Sequence, residues 1–133
     1  MNARSRVASP RAVNIADLRR LARARLPDAV FDYLDGGAED EITLRENSRA
    51  FGDFIFRPRQ AVHVPSPDLS ATILGQKLAM PIIVAPIGYS KLMHSEGELG
   101  AARAAGKAGL AYAMSTISGY PVETIAKATR GPV

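Results

Sequence analysis

The sequence predicts an α/β protein with a parallel sheet, and two observations support this fold class. Residues 80–88 read M-P-I-I-V-A-P-I-G, a continuous apolar run that stops at a proline and a glycine. A run without polar alternation is typical of a parallel strand buried on both faces. From residue 80 onward, the pattern is strand, loop, helix, strand, loop, helix. That order requires a parallel sheet with right-handed crossovers.

The composition narrows the class of protein. With 133 residues, 47% hydrophobic and 23% charged, the chain is long enough for one small globular domain with a core. It has no cysteine, which excludes a disulfide framework and a thiolate metal site. His63 and His94 lack ligand spacing, so we expect no metal site. No apolar run approaches the ~20 residues of a membrane-spanning helix.

Basic residues are concentrated at the N-terminal end. Residues 1–25 contain seven arginines and one acid, Asp17, a net charge of +6, which leaves −2 for residues 26–133. We interpret residues 1–13 as a flexible basic tail. A nucleic-acid or membrane-surface arm and an organelle transit peptide are the alternatives.

Residues 14–52 are predicted to form a helical segment. Asn14 is a candidate N-cap for an amphipathic helix that ends at Pro27. A second helix is expected to begin at Pro27 and to reach the glycine pair 36–37, with Tyr33 near its end. By itself, such a tyrosine is typical of packing with its hydroxyl in water. We expect the acids at 39–41 to open a third helix, because the helix dipole favours acids there.

Residues 53–79 are predicted to form a connection and a hairpin. The first part alternates loosely and contains Pro58, Pro65 and Pro67, which indicates an extended connection with edge-strand character. Residues 70–74 and 76–79 flank Gly75 and predict a short hairpin that covers one end of a sheet or barrel.

Residues 80–133 are predicted to form two β/α units. After the first strand, Pro86 and Gly88 take the chain out of the sheet, at the strand end where ligands bind in α/β proteins. We expect residues 89–95 to form a loop and residues 96–108 to form an alanine-rich helix that ends at Gly109. A second strand at 110–114, the turn S-T-I-S-G (115–119) and a helix from Pro121 follow.

The number of strands is too small for a closed sheet. A (β/α)₈ barrel takes ~250 residues, and two parallel strands cannot bury both of their faces. We therefore expect these residues to be the front part of a longer protein or a fragment that finds the rest elsewhere.

Seven ordered motifs give the chain a family resemblance that spans residues 14–133. They are L-P-D-A-V-F-D-Y-L-D-G-G-A-E-D-E (26–41), T-L-R-E-N (43–47), F-R-P-R (56–59), A-T-I-L-G (71–75), M-P-I-I-V-A-P (80–86), H-S-E-G-E (94–98) and M-S-T-I-S (114–118). Together they resemble the FMN-dependent 2-hydroxy-acid dehydrogenases and oxidases, which include L-lactate dehydrogenase, glycolate oxidase and mandelate dehydrogenase.

The resemblance implies the N-terminal portion of a (β/α)₈ TIM barrel with a preceding helical segment and with FMN as cofactor. It implies that Tyr33 binds the substrate carboxylate, that Pro86, Ile87 and Gly88 lie against the flavin, and that Ser115 hydrogen-bonds it. Many members of the family have threonine at the position of Ile87 and proline at the position of Ser95. A contact from the backbone at 87 to the flavin survives the first difference. Ile117 stands at a variable position of the family's substrate pocket, which leaves substrate size open.

The resemblance implies oxidation of a small L-2-hydroxy acid, such as lactate, to the 2-oxo acid. A histidine base takes the hydroxyl proton, two arginines and Tyr33 hold the carboxylate, and a hydride equivalent passes from Cα to the flavin. The base, arginines and phosphate-binding segments are expected beyond Val133, so this piece contains no catalytic residue and is expected to be inactive alone. Neither His63 nor His94 is assigned as the base.

The resemblance also implies a homo-oligomeric full-length protein without nucleic acid, in the cytoplasm, with contact to the inner face of a membrane left open. The alternative is a truncated, non-catalytic remnant that acts by association. A weaker alternative is nucleic-acid binding through residues 1–25.

Overall fold

The computed structural model describes residues 12–133, which divide into two compact units, one ending at Ile55 and one from Phe56 to Val133. The tail expected at residues 1–13 lies outside the described residues, apart from its last two positions. No helix in the described part of the chain is long and apolar enough to cross a membrane.

The first unit consists of three helices and a 3₁₀ turn. The helices are α1 (Ile15–Arg23), α2 (Asp28–Asp35) and α3 (Ile42–Arg49), and the 3₁₀ turn is Ala50–Asp53. The Asn14 side chain accepts the N–H of Asp17 at 2.8 Å, which confirms the predicted N-cap of α1. Helix α2 begins and ends where the sequence predicts.

Helix α3 begins later than predicted. The acids at 39–41 precede the helix, because Glu39 and Glu41 have φ angles of +49° and +57° and a right-handed helix cannot pass through them. The Glu41 carboxylate instead accepts the N–H of Gly37 at 3.1 Å. The expectation that these acids form the first helical turn was therefore wrong.

Arginines of α1 link this helix to α2. Arg19 donates to both carboxylate oxygens of Asp35 at 2.6 and 2.7 Å. Arg23 donates to Asp32 at 2.9 Å, and its guanidinium lies 4.8 Å from the ring centroid of Phe31, the buried aromatic residue of α2. One two-pronged ion pair, one single ion pair and a cation over an aromatic ring thus link the two helices.

The second unit opens with the predicted hairpin. Strands β1 (Ala71–Ile73) and β2 (Gln76–Leu78) pair antiparallel around Gly75, whose φ is +76°. Ala79 donates to the carbonyl of Gly109 at 2.8 Å, which joins the hairpin to the start of the second strand of the sheet. The connection at 54–70 contains no strand, so its expected edge-strand character is absent; its three prolines have no N–H to donate to a ladder.

The two predicted β/α units are present. Strand β3 (Ile83–Val84) pairs in parallel with β4 (Ala111–Tyr112), with Ile83 opposite Ala111. Helix α5 (Gly97–Lys107) lies between the strands in sequence and α6 (Val122–Ala128) follows β4. The predicted loop at 89–95 also contains a short helix, α4 (Ser90–Met93). After α6 the chain returns beside β4, where Pro132 accepts the N–H of Tyr112 at 3.0 Å in the position of a third strand.

The core lies on one face of this pair of strands. Its buried residues are Ala102 and Ala105 of α5, Tyr112 of β4 and Ile125 of α6. The other face is uncovered, since Ile83, which alternates with the core-facing Val84, is 46% exposed. The expectation of a strand buried on both faces was therefore wrong within these residues, because α5 and α6 cover a single face.

Candidate functional site

The loops that leave β3 and β4 lie side by side at the carboxyl edge of the parallel pair. Pairing continues to this edge, since Ala113 donates to the carbonyl of Val84 at 2.9 Å. The loop after β3 carries Pro86, Ile87 and Gly88, and the loop after β4 carries Ser115. Parallel strands bring such loops together by geometry, and this edge is the usual ligand position in α/β proteins.

Gly88 lies close against the loop after β4. A Cβ atom placed on Gly88 would lie 2.4 Å from Cδ1 and 2.6 Å from Cγ1 of Ile117, and 3.7 Å from the Ser115 hydroxyl oxygen. The glycine is needed here for space, because any side chain would displace Ile117. The structure therefore brings the predicted residues Gly88 and Ser115 together, with Ile117 packed between the loops.

The same loops present hydrogen-bond donors. No hydrogen bond within residues 12–133 uses the N–H of Ile87 or Gly88, whereas the Ile87 carbonyl accepts the Ser90 hydroxyl at 3.0 Å. The Ser115 hydroxyl oxygen accepts the N–H of Ile117 at 3.2 Å, which leaves the hydroxyl hydrogen to donate elsewhere. Pro86 and Ile87 are exposed. This edge suits a ligand that is rich in acceptors.

Glu98 of α5 forms a hydrogen bond with the loop after β4. It is fully buried in the first turn of α5, and its Oε1 accepts the N–H of Gly119 at 3.0 Å. The sequence predicted only that Glu98 lies in the alanine-rich helix at 96–108. Its spacing to Ala102 and Ala105, the other buried residues of α5, was the signal that it faces the core.

Lys91 of α4 also contacts the loop after β4. Its ammonium lies 4.4 Å from the ring centroid of Tyr120, and its Cδ lies 2.5 Å from where a Cβ of Gly119 would stand. Nearby, burial raises the pKa of Tyr112, and the charge of Glu98 adds to this rise. The loop is thus fixed by a cation over its aromatic ring and by a buried carboxylate.

The remaining candidate residues lie on other elements. Tyr33 belongs to the first unit, where it lies in the last turn of α2 and is 53% exposed. His94 Nδ1 accepts the N–H of Glu96 at 3.2 Å just before α5, and His63 is exposed in the connection. No group of three metal-ligating side chains occurs within the described residues.

Comparisons with known proteins agree with this architecture. The model of the FMN-dependent dehydrogenase family matches residues 22–133. Glycolate oxidase from Spinacia oleracea is 42% identical over 118 residues, which cover 89% of this chain and 32% of the oxidase. (S)-Mandelate dehydrogenase from Pseudomonas putida is 39% identical over 118 residues, which cover 89% of this chain and 30% of the dehydrogenase.

Solved structures give the same result. A soluble mutant of the membrane-associated (S)-mandelate dehydrogenase from Pseudomonas putida superposes with a TM-score of 0.84 at 39% identity, over 91% of this chain and 35% of that one. The chain thus spans about a third of the length of the relatives it matches. The predicted fold class, the N-terminal portion of a (β/α)₈ barrel after a helical segment, is confirmed.

Proposed function

The chain belongs to the FMN-dependent dehydrogenase family, and from this premise we propose that the protein oxidises a small L-2-hydroxy acid, such as lactate, to the 2-oxo acid. FMN is the cofactor of this family. The observation that carries the proposal is the contact of the two strand-exit loops at Gly88, which places free backbone donors and the Ser115 hydroxyl at one edge.

The residues at this edge fit a flavin. A flavin ring is planar and carries several nitrogen and oxygen acceptors. The N–H groups of Ile87 and Gly88 and the hydroxyl of Ser115 supply donors, and the absence of a side chain at Gly88 lets the two loops meet. We assign Pro86, Ile87, Gly88 and Ser115 to cofactor binding on this basis.

Tyr33 is proposed to bind the substrate. Its side chain lies in the last turn of α2 and is 53% exposed, and a phenolic hydroxyl donates well to a carboxylate. Bound FMN would supply the acceptor for the hydride equivalent that leaves Cα of the acid. The base that takes the hydroxyl proton is proposed to lie beyond Val133, and residues 1–133 alone are expected to give no turnover.

The assembled protein is proposed to be a homo-oligomer in the cytoplasm, with membrane contact open. Among its relatives, the (S)-mandelate dehydrogenase from Pseudomonas putida is membrane-associated.

The test uses the protein expressed from its complete open reading frame. We expect it to be purified yellow, and its flavin absorbance to bleach when L-lactate or a similar acid is added without oxygen. Ser115→Ala is expected to weaken FMN binding by about fivefold, and the exposed Ser66→Ala serves as the matched control. Tyr33→Phe is expected to raise KM and to leave FMN affinity unchanged. A colourless protein that is indifferent to FMN would refute the proposal.

A second candidate is a non-catalytic chain that acts by association. It is favoured by the apolar residues Phe54, Ile55 and Phe56, which are 81%, 90% and 98% exposed. Both candidates predict self-association in sedimentation experiments, but this one also predicts no FMN binding, so FMN binding by the same preparation distinguishes the two.

A further inference from the structure

Glu98 is a fully buried carboxylate with an unusual partner. It lies on the core face of α5 with Ala102 and Ala105, and its Oε1 accepts the N–H of Gly119, which is 21 residues further along the chain. A buried carboxylate is costly unless it is hydrogen-bonded. Within the described residues, the bond from the Gly119 N–H is the hydrogen bond that the Glu98 side chain makes, since its Oε2 has no partner.

The bond to Gly119 fixes one end of a short turn. The other end is held by β4, through the bond between Ala113 and Val84. Between these two ends, the backbone N–H of Ser118 donates to the carbonyl of Ser115 at 3.2 Å and closes the turn. Ser115, which faces Gly88, is therefore located by two fixed points, and Glu98 supplies one of them.

We propose that Glu98 is a positioning residue for the flavin: by binding the N–H of Gly119 it holds the turn at 115–119 so that the Ser115 hydroxyl meets the cofactor. This rests on the proposed function, because it takes Ser115 as a flavin ligand. Bonds to a charged acceptor are stronger than neutral ones, so a carboxylate suits this task. A carboxylate that served only the α5 dipole would not need to be buried or to reach the next loop.

The experiment compares two substitutions of similar volume in the full protein. Glu98→Met fills the same space without an acceptor, and Glu98→Gln keeps an oxygen that can accept the Gly119 N–H. Glu123→Gln, an exposed acid in the first turn of α6, is the matched control. Amide hydrogen exchange at residues 115–120 of the flavin-free protein and FMN affinity of the same variants are measured.

We expect Glu98→Met to accelerate exchange at Gly119 by about tenfold or more and to weaken FMN affinity by about fivefold, and Glu98→Gln to restore both. Unchanged exchange in Glu98→Met would overturn the anchoring role. Faster exchange with unchanged FMN affinity would overturn the flavin role.

The same experiment also gives a clear answer if Glu98→Met does not fold or if the wild-type protein binds no FMN. If Glu98→Met does not fold, Glu98→Asp withdraws the carboxylate by one methylene, and wild-type exchange in that variant would overturn the proposal. If the wild-type protein binds no FMN, the proposed function fails, whereas the anchoring role is judged by exchange alone.

Discussion

Substitution of Gly88 by alanine tests the contact between the two strand-exit loops. The added Cβ would lie 2.4 and 2.6 Å from two carbons of Ile117, about 1 Å or more inside ordinary carbon contact. Gly88 does not have a positive φ, so the backbone can accept alanine and the steric contact alone decides the outcome. Ile117 is 48% exposed and can rotate away. We therefore expect a cost of about 1 kcal/mol, the low end for overpacking.

The double-mutant cycle with Ile117→Ala makes this prediction specific. Once the isoleucine carbons are gone, Gly88→Ala has no clash and only restricts the unfolded chain, which stabilises by about 0.4–1 kcal/mol. The coupling energy between the two positions is then about 1.5 kcal/mol. Urea unfolding of the four proteins measures it, and flavin affinity is followed in parallel.

The control is Gly52→Ala, since no atom lies within 4 Å of the Cβ position there. It is expected to leave stability unchanged or slightly higher. If Gly88→Ala has the same effect with isoleucine and with alanine at position 117, the contact with Ile117 does not explain the glycine, and the reasoning is refuted.

Two further substitutions test the supporting structure. In thermal unfolding, Gly109→Ala should lower the Tm more than Gly75→Ala. Both glycines have a positive φ, but only at Gly109 would an added Cβ also meet Ala79, at 2.7 Å. Equal losses of Tm would contradict this. Arg19 lowers the pKa of Asp35, chiefly by hydrogen bonding. The higher stability of wild type over Asp35→Asn should therefore be present above about pH 4 and be lost as the pH falls below it. An unchanged Tm difference between the two proteins at about pH 3 would contradict this.

The sequence predicted elements wherever a local signal decides the structure. Asn14 caps α1, Gly75 turns the hairpin and Gly109 follows α5, each through a preference of its own backbone or side chain. The start of α3 was missed because the left-handed conformation of Glu39 and Glu41 opposes the usual preference for acids in a first helical turn. Local propensity does not report such a conformation.

The candidate site was predictable in part. The position of Gly88 and Ser115 follows from strand order, since the carboxyl ends of neighbouring parallel strands share an edge. Their contact through Ile117 depends on how far each loop extends, which no periodicity encodes. Glu98 was missed for a similar reason: the acid satisfies the helix dipole in the sequence, and only its spacing to Ala102 and Ala105 indicated that it faces the core.

The exposed face of β3 indicates that residues 80–88 make contacts beyond those within the described residues. Their composition is that of a strand covered on both sides, yet α5 and α6 cover one side and leave Ile83 on the other side about half exposed. Pro132 already occupies the next position beside β4. Because β-branched apolar residues in a parallel strand are stabilised by burial, the uncovered face indicates contacts that residues 12–133 do not make among themselves. The relatives are about three times as long as this chain and have further sequence that can make such contacts.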